Sequence, residues 1–275
     1  MASRISRAVV TGGAGGLGKA LALELASRGA SVVIADINEE MGEATVGELV
    51  NKGHSAWFVK ADMAQLDQIE ALAEKSAELM GGIDFLANNA GVAVAGPFTE
   101  VSVEDWKWVM DINLWGVIHG ARVFLPHLER SGRGHLLNVA SMAGLTPGPE
   151  MGPYNVTKAG VVGMSETLHT EYLDRNVHVT VLCPFFFKTN IAQAGRGPKG
   201  MANEEARRKK QIEKLMNQSK VQAPEVAKRA IDGVIKNEVY VLPHGIGRTF
   251  WGIKRATPQF FPRVLRAATR RGRRG

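Results

Sequence analysis

One cysteine, Cys183, stands in 275 residues, so no internal disulfide can form and the chain suits a reducing compartment. At the end of an apolar run, it reads as a buried strand-end residue and not as a reactive thiol. No apolar run approaches the roughly 18–20 residues that a membrane-spanning helix needs. The first residues also lack a signal-peptide core, and the expected location is cytoplasmic. The seven histidines show neither HExxH nor Cys/His metal spacing, so no metal is expected. No internal repeat and no low-complexity linker divides the chain, which excludes a solenoid and leaves one domain. Acidic residues are missing altogether after Glu238, where nine bases follow: Arg248, Lys254, Arg255, Arg263, Arg266, Arg270, Arg271, Arg273 and Arg274. The net charge of +7 therefore belongs to the tail, and residues 1–238 stand at about −2.

What is present is a core. Hydrophobic residues make up 45% of the chain. Strand-like runs at Ile5 to Thr11, Ser31 to Ala35, Ala56 to Lys60, Ile83 to Leu86, His135 to Ala140, Val177 to Cys183 and Glu238 to Leu242 are interleaved with helical patterns. Those patterns include Lys19 to Arg28, Pro153 to Arg175 and Pro224 to Lys236. Strand followed by helix, repeated, predicts a doubly wound α/β domain with a parallel sheet of about seven strands and right-handed crossovers. Residues 1–245 would form that domain and residues 246–275 a basic extension.

Chemistry enters with Tyr154-Asn155-Val156-Thr157-Lys158, and with Ser141 thirteen residues before the tyrosine. Tyr and Lys four apart lie one above the other on a helix face. An ammonium beside a phenol favours phenolate, which brings a group that titrates near ~10 toward usefulness at neutral pH. A serine hydroxyl can hydrogen-bond the oxygen on which charge changes. This is equipment for moving a proton on or off an alcohol or carbonyl oxygen. Alone, Y-x-x-x-K also describes a core tyrosine with an exposed lysine.

The amino-terminal half adds a nucleotide signal. The first strand runs into Thr11-Gly12-Gly13-Ala14-Gly15-Gly16-Leu17-Gly18 and then a helix. A strand, a glycine turn and a helix start gather unpaired backbone N–H groups where a pyrophosphate binds. The second strand ends in Asp36, eighteen residues after Gly18, placed to accept hydrogen bonds from an adenosine ribose. The plain alternative makes Asp36 a helix cap before Asn38-Glu39-Glu40.

Thr11-Gly-x-x-x-Gly16-x-Gly18, Asn88-Asn89-Ala90-Gly91, Ser141, Tyr154 and Lys158 together resemble the short-chain dehydrogenase/reductase family over about residues 5 to 243. The resemblance implies one Rossmann-type domain that binds NAD and interconverts a secondary alcohol and a ketone. Carried over by position, it makes Tyr154 the acid/base and Lys158 the partner of both phenol and nicotinamide ribose. Ser141 becomes the holder of the substrate oxygen, and Asn113 the residue that kinks a helix and orders a water near the lysine. Gly12, Gly16, Leu17 and Gly18 become the dinucleotide loop, Asp62 and Met63 the adenine contacts, and Asn89, Ala90 and Gly91 the border of the adenine ribose. Pro184 and Thr189 fit a Pro-Gly-x-x-x-Thr segment whose threonine anchors the nicotinamide carboxamide. Phe185 departs from that pattern by replacing its glycine.

Residues 190–219 correspond to the family's mobile substrate-covering segment, with Gly195, Gly197, Pro198 and Gly200 suited to an opening loop. The basic run Arg207-Arg208-Lys209-Lys210 inside it reads as a solvated helix face, since Glu204 and Glu205 accompany it, the alternative being a clamp for an anionic substrate. Met142, Leu145, Met151, Phe186, Phe187 and Met216 are the expected pocket wall, and their apolar character points to a lipophilic substrate. A homodimer or homotetramer is implied by the resemblance. The other readings are a dinucleotide-binding sensor without turnover and a nucleic-acid binder acting through the arginine-rich tail, for which no nucleic-acid fold is visible. The tail's Phe250, Trp251, Ile253, Phe260, Phe261, Val264 and Leu265 among arginines suit weak peripheral contact with an anionic membrane surface or packing on a neighbouring subunit.

Overall fold

The β-branched runs become one sheet of seven parallel strands. They are β1 (Arg7–Thr11), β2 (Ser31–Asp36), β3 (Ala56–Lys60), β4 (Phe85–Asn88), β5 (Gly134–Val139), β6 (Val177–Leu182) and β7 (Tyr240–Val241). Their spatial order is β3-β2-β1-β4-β5-β6-β7. The computed structural model describes residues 5–189, 191, 195–198, 202–263 and 265–266, with backbone alone at 202–205, 207–209 and 211.

The helices are α1 (Gly16–Ser27), α2 (Glu39–Asn51), α3 (Leu66–Met80), α4 (Val103–Met110), α5 (Gly116–Arg130), α6 (Met142–Leu145), α7 (Gly152–Tyr172), α8 (Ala202–Gln218), α9 (Ala223–Ile235) and α10 (Gly245–Ala256). Successive side chains of a strand point to opposite faces, so each strand feeds two cores. Val10, Ile34 and Ala87 join Leu21, Leu25, Val226 and Ile231 of α1 and α9. Val9, Val33 and Leu86 join Ile69, Leu72, Phe124 and Leu128 of α3 and α5. Both faces are covered, which is why the central strands carry apolar runs with little polar alternation.

Chain direction across the sheet reverses between β1 and β4, which are neighbours. A crevice opens beyond their carboxyl ends at such a point, and ligands of open α/β sheets bind there. A buried polar chain crosses the sheet beneath it. Asn88 Nδ2 donates to Asn138 Oδ1 at 3.0 Å and to the Val117 carbonyl at 3.2 Å. Asn138 Nδ2 donates to Ser165 Oγ at 3.0 Å, and that hydroxyl donates to the Val161 carbonyl at 2.6 Å. The chain ties β4 and β5 to α5 and α7. Replacing Asn138 with leucine keeps the branched shape but leaves an Asn88 N–H buried without its acceptor. Asn138→Leu should cost about 2–4 kcal/mol, read as a lowered urea midpoint at unchanged slope.

The carboxyl-terminal helix α10 packs on the protein's own body. Trp251 stacks near Tyr240 at 5.0 Å between ring centroids, Phe250 meets Phe185 at 6.4 Å, and Phe261 is buried. Lys254 Nζ donates to the Leu145 carbonyl at 2.5 Å, at the end of α6. Three of the rings expected at a membrane surface or a neighbouring subunit are thus used inside the chain, while Phe260 stays exposed. Val264 and residues 267–275, with the last four arginines, lie outside the described residues. Among the described residues, no helix is long and apolar enough to cross a membrane.

Candidate active site

The glycine turn between β1 and α1 is built by close approach. Gly12 has φ +62°, and a Cβ there would meet the Ala90 Cα at 2.8 Å. At Gly18 a Cβ would lie 2.0 Å from the Gly12 carbonyl oxygen, so only glycine lets α1 start against the turn. Asn89 Nδ2 donates to the Thr11 and Gly12 carbonyls at 2.8 and 3.1 Å. Thr11 Oγ1 in return accepts from the Asn89 and Ala90 amides at 3.0 and 3.1 Å. The two motifs read separately from sequence are one interlocked loop pair. Leu17 is buried in the core beneath it.

Asp36 closes one side. Its carboxylate accepts from the Ala14 amide at 3.1 Å and the Asn38 amide at 3.0 Å. The cap of α2 is Asn38, which accepts from the Met41 amide, so the helix-cap alternative for Asp36 is gone. Beyond β3, the Asp62 carboxylate accepts from the Ala64 amide at 2.9 Å. Met63 is buried next to it, its carbonyl oxygen 2.5 Å from where a Cβ on Gly116 would stand. A cradle this tight, set at the start of α1 and flanked by a fixed carboxylate, fits a dinucleotide's pyrophosphate and ribose.

Asn113 lies in a π-helical turn, Asp111–Trp115, inserted between α4 and α5. Its side chain is fully buried and locked on one residue: Oδ1 accepts from the Val92 amide and Nδ2 donates to the Val92 carbonyl, both at 2.8 Å. The π-helical turn adds a residue to the helical repeat at Asn113, the position where a kink is expected. Gly91 separates Asn113 from Lys158, for a Cβ on it would sit 3.2 Å from Asn113 Oδ1 and 3.6 Å from Lys158 Nζ.

Tyr154 and Lys158 stand one turn apart near the start of α7, both buried. Lys158 Nζ donates to the Val139 carbonyl at 2.8 Å and lies 5.7 Å from the centroid of the Tyr154 ring. Ser141 caps α6, its Oγ accepting from the Ala143 amide at 3.1 Å, and its hydroxyl lies near enough to the Tyr154 phenol to oppose the rise of that group's pKa. The electrostatics differ from the sequence expectation. Burial pushes the phenol up to about 12, against the opposing Ser141 hydrogen bond. Burial likewise pushes Lys158 down to about 8. In the protein alone, desolvation of two dry neighbours outweighs the attraction between ammonium and phenolate. Cys183, close by, is also pushed up to about 12 by burial and is no nucleophile.

Pro184 accepts from the Met142 amide at 2.9 Å, joining the Thr189 loop to the serine. Thr189 reaches the glycine turn, its Cβ 3.9 Å from where a Cβ on Gly16 would be. Phe185 does not adopt left-handed backbone, so this loop has no conformational need for the family's glycine. The ring instead packs edge-on to Phe186 at 4.9 Å and faces α10.

Of the expected pocket wall, Met142 and Leu145 border the serine, with Gly247 of α10 against the Met142 thioether. Phe187 belongs to the core beside Leu182 and Val226, and is not wall. Phe98 and Trp106 meet edge-on at 5.4 Å beside Gly152, at the start of α7. Sequence reasoning gave no role to Arg196, which pairs with Val94 in a β-bridge and sits 3.7 Å over the Trp108 ring, fastening residues 195–198 to the stretch after β4. Of the basic run on α8, the side chains of Arg207, Arg208 and Lys209 lie outside the described residues.

Residues 6–199 match the family model described as short chain dehydrogenase. The chain belongs to the short-chain dehydrogenase/reductase family. Among its relatives is 2,5-dichloro-2,5-cyclohexadiene-1,4-diol dehydrogenase LinX of Sphingobium indicum, 36% identical over 193 residues, covering 70% of this chain and 77% of that one. Another is 3beta-hydroxysteroid dehydrogenase 1 of Eggerthella lenta, 35% identical over 219 residues, or 79% and 81% of the two chains. A crystal structure of a short chain dehydrogenase/reductase from Burkholderia phymatum in complex with NAD superposes with a TM-score of 0.87 at 31% identity, covering 94% and 96%. As a short-chain dehydrogenase/reductase, the chain is an oxidoreductase of the dehydrogenase type.

Proposed function

We propose that this short-chain dehydrogenase/reductase is NAD-dependent and interconverts a lipophilic secondary alcohol and its ketone. The observation that carries the reading is the placement of Ser141 beside the Tyr154 phenol, with Lys158 5.7 Å from that ring, at the carboxyl ends of the strands where the glycine cradle also lies. Gly12, Gly16, Leu17 and Gly18 would hold the pyrophosphate, Asp36 the adenosine ribose, and Asp62 and Met63 the adenine. Asn89, Ala90 and Gly91 would border that ribose, and Pro184 and Thr189 the nicotinamide end. Bound NAD would supply the hydride acceptor or donor and, when oxidised, a positive charge.

The chain's own residues then have definite tasks. Ser141 donates to the substrate oxygen and orients it. Tyr154 takes the alcohol proton in oxidation and returns it in reduction. The phenol must fall several units from its value in the protein alone, and each unit takes about 1.4 kcal/mol of differential interaction. Lys158 contributes at short range in a dry site, where charges act strongly. Asn113, through the opened turn, leads a water toward Lys158 and so a path for the proton. Met142, Leu145, Met151, Phe186, Phe98 and Trp106 exclude water and favour an apolar substrate; the steroid and cyclohexadiene-diol names of the relatives agree with that class.

Asp36 makes the cofactor preference testable. A 2′-phosphate about 4 Å from its carboxylate would be repelled by roughly 4 kcal/mol at an effective dielectric of 20, and less where water screens. The corresponding basic offsets are missing, since Gly15 and Ile37 stand at those places. Catalytic efficiency with NAD should exceed that with NADP by at least about tenfold, and Asp36→Ala should narrow the gap. Equal efficiency in the parent enzyme would mean that the carboxylate faces away from the ribose.

A further inference from the structure

We propose that His244 and Gln222 are positioning residues that set where Thr189 stands against the glycine turn and tie that position to the end of the covering helix α8. The proposal rests on reading residues 184–189 as part of the dinucleotide site. His244 lies between β7 and α10 and is 5% exposed. Its Nδ1 faces the Phe185 amide at 3.2 Å and its Nε2 faces the Val221 carbonyl at 3.3 Å. An amide N–H can only donate and a carbonyl can only accept, so the two contacts together fix the tautomer with the proton on Nε2. Burial holds the ring's proton affinity below its ordinary value, with Arg229 acting the same way against the Val221 carbonyl, so Nδ1 keeps its lone pair at neutral pH.

Three residues along the loop, the same design recurs. The Lys188 amide donates to Gln222 Oε1 at 2.9 Å. Gln222 Nε2 donates to the Ser219 carbonyl at 2.6 Å and to the Met216 carbonyl at 3.3 Å. Two side chains thus hold two main-chain amides of the loop, and their far ends hold three carbonyls at the close of α8 and its connection to α9. Phe187 lies between the two held amides along the loop, its ring 6.1 Å from that of His244. The loop that presents Thr189 cannot shift without moving the α8 terminus. Met216, at that terminus, is buried, so the coupling reaches the segment expected to cover substrate.

Amide side chains separate the two contacts of His244. Asparagine can place an acceptor where Nδ1 stands, whereas glutamine can place a donor where Nε2 stands. His244→Phe, His244→Asn, His244→Gln and Gln222→Ala would be compared with the parent by calorimetric titration with NAD, by thermal melting, and by hydrogen exchange at residues 185–189 and 216–221. The loss of one buried hydrogen bond should weaken NAD binding about tenfold in His244→Phe and His244→Gln. His244→Asn should stay within about threefold of the parent, and Gln222→Ala should weaken binding severalfold. In His244→Phe and Gln222→Ala alike, exchange should rise in both segments together, and the loss should fall on KM for NAD with kcat at saturation changed far less. Parent-like NAD affinity in folded His244→Phe, or equal damage from asparagine and glutamine, would overturn the proposal. If His244→Phe does not fold, Gln222→Ala decides by the same readouts, parent-like affinity counting against it. A parent enzyme that binds no NAD would instead sink the cofactor reading, while the paired exchange of the two segments would still judge the brace.

Discussion

Tyr154→Phe should lower turnover by about a thousandfold or more while NAD binds nearly as before. General acid–base catalysis by one positioned group contributes about 10²–10⁴-fold, and the phenol here also helps hold the reacting oxygen. The substitution removes only the hydroxyl. The ring remains buried in α7, Ser141 keeps its bond from the Ala143 amide, and Lys158 keeps the Val139 carbonyl. Stopped-flow reading of nicotinamide absorbance in single turnover, beside calorimetric NAD titration, separates chemistry from binding. Turnover within about tenfold of the parent would move the proton transfer to another group.

Lys158→Met should abolish turnover and weaken NAD binding, yet leave a fold at least as stable as the parent's. The ammonium is buried and pushed down to about 8 from an ordinary 10.5. Between those values the unfolded chain binds more protons than the folded one, so stability rises with pH across that window. Below about 8 a steady penalty of roughly 3 kcal/mol remains. Methionine removes that penalty and leaves the Val139 carbonyl unpaired, a cost of about 1–3 kcal/mol. Melting curves should therefore rise with pH between about 8 and 9 in the parent and lose that rise in the variant. Above their ordinary 9 and 10, Cys183 and Tyr154, both pushed up to about 12, act with the opposite sign. A variant that melts well below the parent at pH 7 would mean that the ammonium is net stabilising.

The elements that position the site were legible because their sequence signals are local. Strand–glycine–helix at Thr11 to Gly18 and the four-residue spacing of Tyr154 and Lys158 need no distant partner to be read. The strands fell within a residue or two of their expected bounds for the same reason, since β-branched runs between helical patterns declare a doubly buried sheet. The direction of the Tyr154 shift was not legible. Spacing shows the ammonium but not the dryness, and dryness wins in the protein alone. The brace at His244 and Gln222 was hidden too: 59 residues separate His244 from Phe185, and a lone histidine carries no pattern. The apolar residues of the tail were visible, but their destination depended on Tyr240, Phe185 and Leu145, which only the folded chain brings beneath α10.

The central claim is that Ser141, Tyr154 and Lys158 work on an alcohol oxygen beside bound NAD. The most direct measurement is nicotinamide absorbance during incubation with NAD and a panel of lipophilic secondary alcohols, and with NADH and the matching ketones. Calorimetry on the same protein establishes that the dinucleotide is bound. The account predicts reduction of NAD by cyclic, steroid-like or terpenoid members of the panel, and its reversal with their ketones. Tight NAD binding with no absorbance change in either direction across the panel would contradict it, and would leave a dinucleotide sensor in place of an enzyme.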